Sequence, residues 1–332
     1  MPFLPSTSSN FIYHAKGKNG RQFLARNNQI FEVTIKNKFK TILKGKSTRG
    51  LLIIGKDFYV NTYNGIFRNE NRILPNIRNG EGLFYDSHIN SIFFTSDKDI
   101  ITLKLDNNEE DVKSYLNKIG EQHYISSIIR YKNIYYIGTS KGLAQLEPFS
   151  FLSKEFLVHN LSIIENELFI STDEGIYQFD GIKIRKCTFL PDENTNAVTK
   201  IGINFWISTN KGLWFYNADN HKLEKKILDK KLINLDCYEI QKDNNGFYWV
   251  STSSGLYRFG NANEKTEVFF PEIEFNKRSY LAHNGIFYFG SVNGVFSFDP
   301  LDFPDLIISN GFIVDNLNII GFSLFVIIGL LI

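Results

Sequence analysis

Hydrophobic and polar positions alternate along most of this chain, and the alternation is organised into one recurring unit. Two aromatic or β-branched residues lead to a small residue, Ser or Thr, two turn residues, Gly and an apolar pair. The unit reads FYVNTYNGIF (58–67), YYIGTSKGLA (135–144) and LFISTDEGIY (168–177). It returns as FWISTNKGLW (205–214), YWVSTSSGLY (248–257) and YFGSVNGVF (288–296). The hydroxyl stands three residues before the glycine in all six: Thr62 and Gly65, Thr139 and Gly142, Thr172 and Gly175, Thr209 and Gly212, Thr252 and Gly255, Ser291 and Gly294. Two degenerate copies fill the gaps. FLARNNQIF (23–31) has Gln29 in the place of glycine, and FFTSDKDII (93–101) has Asp99 near it with one additional residue. The turns recur about every 38 residues.

Such a unit predicts a β-hairpin. Alternating residues before and after the turn suit two extended strands. The turn residues ending in Gly match a type I turn followed by a left-handed residue. Glycine is favoured there because a Cβ costs on the order of 1–2 kcal/mol in that conformation. The hydroxyl is placed to bond local turn backbone. Asp243-Asn244-Asn245-Gly246 supplies a second turn before one hairpin, so each period holds about four strands. One such sheet cannot bury two apolar faces, whereas copies stacked around an axis can. The fold predicted is all-β: a single β-propeller over 1–300, of eight blades by hairpin count, or seven if strands from both ends close the ring. The one predicted helix is NEEDVKSYLNKIG (108–120), read as a decoration between units and as a better ligand-site candidate than the repeated strands.

Charge and composition narrow the function. Among 332 residues, 37 Lys and Arg face 35 Asp and Glu, a net charge of +2 that gives no electrostatic reason to expect nucleic acid. Two cysteines, Cys187 and Cys237, exclude a disulfide scaffold; they read as a single bridge or as two buried thiols. The first ten residues have no secretory signal pattern. The 14 uncharged residues 319–332 are fewer than the roughly 20 that span a bilayer as a helix. That tail reads equally as the start of a membrane anchor or as a gene fragment or shifted frame.

The repeats GFYWVSTSSGLYRF (246–259) and NFWISTNKGLWFY (204–216) resemble the two-component regulator propeller repeat, found in sensor regions of bacterial hybrid two-component systems. GSVNGVFSFDP (290–300) is similar to the last copy in such sensors, and PDLIISNGFIVDNLNI (304–319) resembles the opening strand of the triple-tyrosine sandwich that follows it. Residues 301–332 are then the beginning of that region running into an apolar or membrane-anchor segment. The resemblance implies a periplasmic or otherwise extracytoplasmic ligand-sensing module of a truncated regulator. It further implies a small-molecule or oligosaccharide ligand, membrane attachment at the C-terminal end and a homodimer in the full-length protein.

Other constellations read as structural. Trp206 and Trp249 occupy a repeat position held elsewhere by Tyr59, Tyr136, Phe169 and Tyr288, and Trp214 one held by Phe67, Tyr177 and Tyr257; both read as inter-blade packing rather than sugar platforms. His14, His88, His123, His159, His221 and His283 lack metal-ligand spacing and read as surface or satisfied histidines. Asp173-Glu174, the acidic run 108–111 and the basic run KKILDKKL (225–232) read as solvated charge. No phosphate loop, nucleophile elbow or H-E-x-x-H is present, so the sequence nominates no catalytic residue, metal or cofactor and assigns no ligand-binding residue. The rivals to a sensor are a propeller lyase or hydrolase, which would gather His, Glu or Arg at the channel mouth, and a protein-interaction scaffold.

Overall fold

In the computed structural model each recurring unit supplies the second and third strands of a four-stranded antiparallel blade, and seven such blades form a ring. Residues 39–74, 79–228, 235–260 and 266–303 are described, together with the backbone of three strands, Tyr13–Lys16, Gln22–Arg26 and Gln29–Val33. The innermost strands are Thr48–Ile54 (blade I), Gly80–Asp86 (II), Ile125–Tyr131 (III), Val158–Ile164 (IV), Thr195–Ile201 (V), Cys237–Lys242 (VI) and Phe275–His283 (VII). Each touches the next, and that of blade VII touches that of blade I.

Of the two blade counts open from sequence, seven is the one observed. Blade VII takes its outer strand, Lys40–Ile42, from the other end of the chain: Val295 pairs with Ile42, Phe296 with Thr41 and Ser297 with Lys40. The first degenerate copy lies before that closing strand, and its hairpin belongs to a separate three-stranded sheet. The second copy is a regular blade hairpin. Ser96 pairs with Asp99, which restores the spacing of three, and Asp97 carries the positive φ of 53°.

The expected helix at 108–120 is mostly strand. Glu109–Ser114 pairs residue for residue with Asp99–Lys104 as the outer strand of blade II, and only Leu116–Ile119 is helical. A ready sheet edge supplies backbone hydrogen bonds that a short isolated helix could not hold against water. The stretches read as a triple-tyrosine strand and an apolar tail, 304–332, lie outside the described residues. Among the described residues, no helix is long and apolar enough to cross a membrane.

The hydroxyl and glycine of each unit act as a pair. Thr62, Thr139, Thr172, Thr209, Thr252 and Ser291 each donate to the carbonyl of the glycine three residues on, at 2.7–3.0 Å. Each also accepts the backbone N–H two residues on, at 3.0–3.2 Å. All six hydroxyl residues are fully buried. The glycines take φ between +99° and +141°. At Gly255 an added Cβ would lie 2.8 Å from the Phe269 carbonyl oxygen, so conformation and space both demand glycine.

The paired aromatics of the second strand explain the ring. Consecutive strand residues point to opposite faces, so each pair serves two neighbours at once. Tyr135 meets Phe93 of blade II at 5.0 Å between ring centroids, while Tyr136 meets Phe179 of blade IV at 5.5 Å. Phe205 faces Phe169 at 5.9 Å and Trp206 faces Tyr248 at 4.7 Å. Trp249 faces Phe298 at 4.7 Å, and Phe58 reaches Tyr288 at 5.4 Å across the closing seam. Trp206 and Trp249 are thus core residues, whereas Trp214 is half-buried and its indole N–H donates to Glu193 Oε2 at 3.1 Å.

Two stability predictions follow from these contacts. Gly246 has φ +92° but open space around its Cβ position. Gly246→Ala should therefore cost about 1–2 kcal/mol and Gly255→Ala clearly more; equal shifts in urea midpoint would remove the crowding argument. Ile42 in the closing strand is 8% exposed and Val112 in the outer strand of blade II is 59% exposed. Ile42→Ala should cost about 2–5 kcal/mol and Val112→Ala less than about 0.5, read from the same denaturation curves.

Candidate functional site at the channel mouth

The innermost strands line the central channel, and they begin at the end of the ring where the hydroxyl–glycine turns lie. Thr48 pairs with Thr62, Ile125 with Thr139, Val158 with Thr172, Thr195 with Thr209, Cys237 with Thr252 and Phe275 with Ser291. Immediately after each of these pairs the ladder slips. Arg49, Ser126, His159 and Asn196 are each skipped, as are Tyr238 and Glu239, and 276–279 in blade VII. Blade II slips likewise between Gly80 and Leu83, around Glu81. A bulge bends its strand and re-aims a side chain, so seven bulges in a ring set one polar collar at the channel mouth.

Arg278 dominates the collar. It has φ +56°, a left-handed conformation for a non-glycine residue, inside the widest bulge. Its guanidinium leaves blade VII and crosses the channel, donating through Nη2 to the Glu81 carboxylate of blade II and through Nη1 to the His159 carbonyl of blade IV. The ion pair is largely shielded, with side-chain exposures of 14% and 24%. Asn196 donates to Asp236 Oδ1 at 2.6 Å and to the Cys237 carbonyl at 2.7 Å, and Asn276 to the Thr48 carbonyl at 2.7 Å, each tying its strand to the next blade.

The remaining groups feel burial and one another. Burial pushes the Glu239 carboxyl up to about 7, against the pull of Arg278. Burial, reinforced by Lys277 and Arg278, pushes the His159 imidazole down to about 4. Burial also lowers Lys277, which Asp236 opposes and Arg278 and Arg49 reinforce. Arg49 Nε, Asn196 Oδ1 and Arg278 Nε are buried without a protein hydrogen-bond partner, and the Asn194 side chain lies against the His159 imidazole. Beside this collar, Ile119, Gly120, Glu121, Gln122, His123 and Lys141 line a depression of about 450 Å³ at the rim of blade III.

The opposite end of the ring provides a contrast. Asp86, 2% exposed, accepts from the Tyr135 hydroxyl and from the His88 N–H at 2.9 Å, with Arg130 Nη1 at 3.5 Å. That carboxylate is saturated by its own fold and clamps blade II to blade III.

Sequence reading gave the glycines and hydroxyls a structural role in the turns and named no ligand-binding residue, so the collar was missed. His159, read as a surface or satisfied histidine, is a half-buried channel residue whose imidazole lies against the Asn194 side chain. The helical turn at Leu116–Ile119 does border a depression, at the rim rather than in the channel. Cys187 and Cys237 are separate buried thiols, and burial pushes Cys187 up to about 11. Among the described residues, no group of three or more His, Cys, Asp or Glu is arranged to hold a metal ion. One sequence signal marks the collar: the skipped position changes type in nearly every copy, while its flanking ladder stays regular.

The shifted groups predict a pH signature. Folded Glu239 keeps a proton between about pH 4.5 and 7 that the unfolded chain releases, so its contribution to stability falls as pH rises through that interval. His159 acts in the other direction: the unfolded chain takes up a proton between about pH 6.5 and 4 that the folded chain refuses, so stability falls as pH drops there. Glu239→Gln should raise the melting temperature more at about pH 8 than at about pH 5, and His159→Gln should flatten the acid limb. A pH-independent effect of either variant would contradict the assigned environments.

No protein-family profile matches the chain, and no curated protein matches it in sequence. Solved structures do match in fold. The extracellular domain of the hybrid two-component system BT3049 from B. thetaiotaomicron superposes with a TM-score of 0.65 at 18% identity, over 87% of this chain and 45% of that one. YCF48 bound to a D1 peptide gives 0.61 at 10% identity over 83% and 98%. Virginiamycin B lyase from Staphylococcus aureus gives 0.59 at 11% identity over 79% and 98%. The chain therefore spans under half the length of the BT3049 domain, and what it shares with all three is the β-propeller architecture.

Proposed function

We propose that this chain is a ligand-sensing, non-enzymatic, extracytoplasmic propeller module of a bacterial signal-transduction regulator, and that it recognises a carbohydrate or other extracellular small molecule at the channel mouth. The observation that carries the reading is the collar. Positions that repeat are spent on turns and seams, whereas the variable bulged positions bring donors and acceptors without protein partners to one place. The repeat resemblance and the fold shared with a hybrid two-component sensor domain support the sensor role. Membrane attachment at the C-terminal end and a homodimer of the whole regulator belong to the same proposal. Binding would act by shifting the balance between two arrangements of the ring.

A second reading is a propeller lyase. It is favoured by one observation: His159, Glu239 and Arg278 converge at the mouth, as a channel-mouth active site requires. A structural relative, virginiamycin B lyase, has a histidine-to-alanine variant that is catalytically inactive. A glycan array followed by incubation of every hit with the full chain separates the two. Saturable binding that leaves the glycan intact, weakened by Arg49→Gln, is the expected result. Product formation abolished by His159→Gln would replace the sensor with the enzyme, and binding unaffected by Arg49→Gln would move the site elsewhere.

A further inference from the structure

We infer that the channel mouth holds its ligand by an anionic group, a carboxylate or sulfate ester, seated on Arg278 in place of the Glu81 carboxylate. The inference rests on the channel mouth being the ligand site, and it names the chemistry of that ligand.

The first support is the way Glu81 uses the guanidinium. An arginine offers a carboxylate two parallel donors along one edge, such as Nε and Nη2. Glu81 takes Nη2 only, and Nε is buried without a protein partner. The internal carboxylate is thus a one-point partner on a two-point edge. A planar anion entering along the channel can take both donors at once.

The second support is the local excess of cationic donors. Arg49 lies close enough to Lys277 to lower it, and its own Nε is also buried without a protein partner. Lys277 and Arg278 both depress His159. The opposing carboxylates are Glu81, already committed to Arg278, Asp236, already accepting from Asn196, and Asp173, already accepting from the Leu157 N–H. Burial pushes the Glu239 carboxyl up to about 7, so only about half of it is charged at neutral pH. An arriving anion relieves the mutual repulsion of three cations, whereas an arriving cation would add to it.

The third support concerns the rest of the ligand. Asn196 Oδ1 is a neutral acceptor without a protein partner, and the Asn194 and His159 side chains beside it are uncharged polar groups that suit hydroxyls. The ring of Tyr124, 36% exposed, senses both Arg278 and Glu81 and offers a face for stacking. An acidic sugar fits this set better than a bare inorganic anion.

The test is a titration of the full chain with three probes at constant ionic strength: trigalacturonate, its neutral methyl ester and inorganic sulfate. Calorimetry gives affinity, and the Arg278 Nε–H resonance reports the site. The acid should bind about tenfold or more tightly than the ester and shift that resonance. Arg278→Lys, which keeps charge but loses the fork, should remove most of the preference, and Glu81→Gln should tighten acid binding several-fold by removing the internal competitor. A sulfate shift equal to that of the acid would assign a bare anion as occupant and keep the shared chemistry. Equal binding of acid and ester, with channel resonances moving, would overturn the inference and leave the ligand-sensing reading standing. If no probe moves the Arg278 resonance, in the wild-type chain or in Glu81→Gln, the inference fails and the array decides the site on its own.

Discussion

Apolar side chains on both faces of a small sheet leave one face wet unless another sheet covers it, and that constraint shapes the whole molecule. The cover comes from the neighbouring blade on each side, through aromatic pairs such as Trp206–Tyr248 and Trp249–Phe298. No blade is complete until both neighbours are present, so the ring is the smallest unit that satisfies the chain. Aromatic side chains serve well because each covers a large area with few rotors to freeze.

With packing and turns assigned to repeated positions, the start of each innermost strand is released from that duty. The bulges there add length without disturbing the hairpins behind them. Arg49, Glu81, His159, Glu239, Lys277 and Arg278 mix cations, carboxylates and an imidazole, and the ring tolerates the mixture because these positions lie in bulges outside the regular ladder. The scaffold and the site are therefore written in different registers of one sequence.

The scaffold was legible for that reason. Six hydroxyl–glycine spacings and their aromatic lead-ins point to hairpins, to four-stranded units and to a ring, because each is a local rule repeated. The closing strand Lys40–Ile42 was less legible, since nothing in its three residues shows that they pair with Val295–Ser297 some 250 positions away. Residues 109–114 misled for a related reason: their charged composition suits a helix, and only the open edge at Asp99–Lys104 makes them a strand. The collar was invisible as a cluster. Arg278, Glu81 and His159 are far apart in sequence and meet only after the circle closes, so no spacing rule could join them; variability at one repeat position was the sole hint.

The seam at blade VII has a mechanical meaning. Residues 40–42 and 294–298 lie side by side, and Phe39 packs on Phe303 at 5.0 Å, so the polypeptide enters and leaves the circle through one doorway. That doorway belongs to the same blade whose Arg278 stretches across to the far wall. The two features occupy opposite edges of one sheet, with Ile286–Ser291 and Gly294–Phe298 between the strand that carries Arg278 and the strand that closes the hoop. A tongue across the opening and the fastening of the hoop are thus carried by a single four-stranded plate.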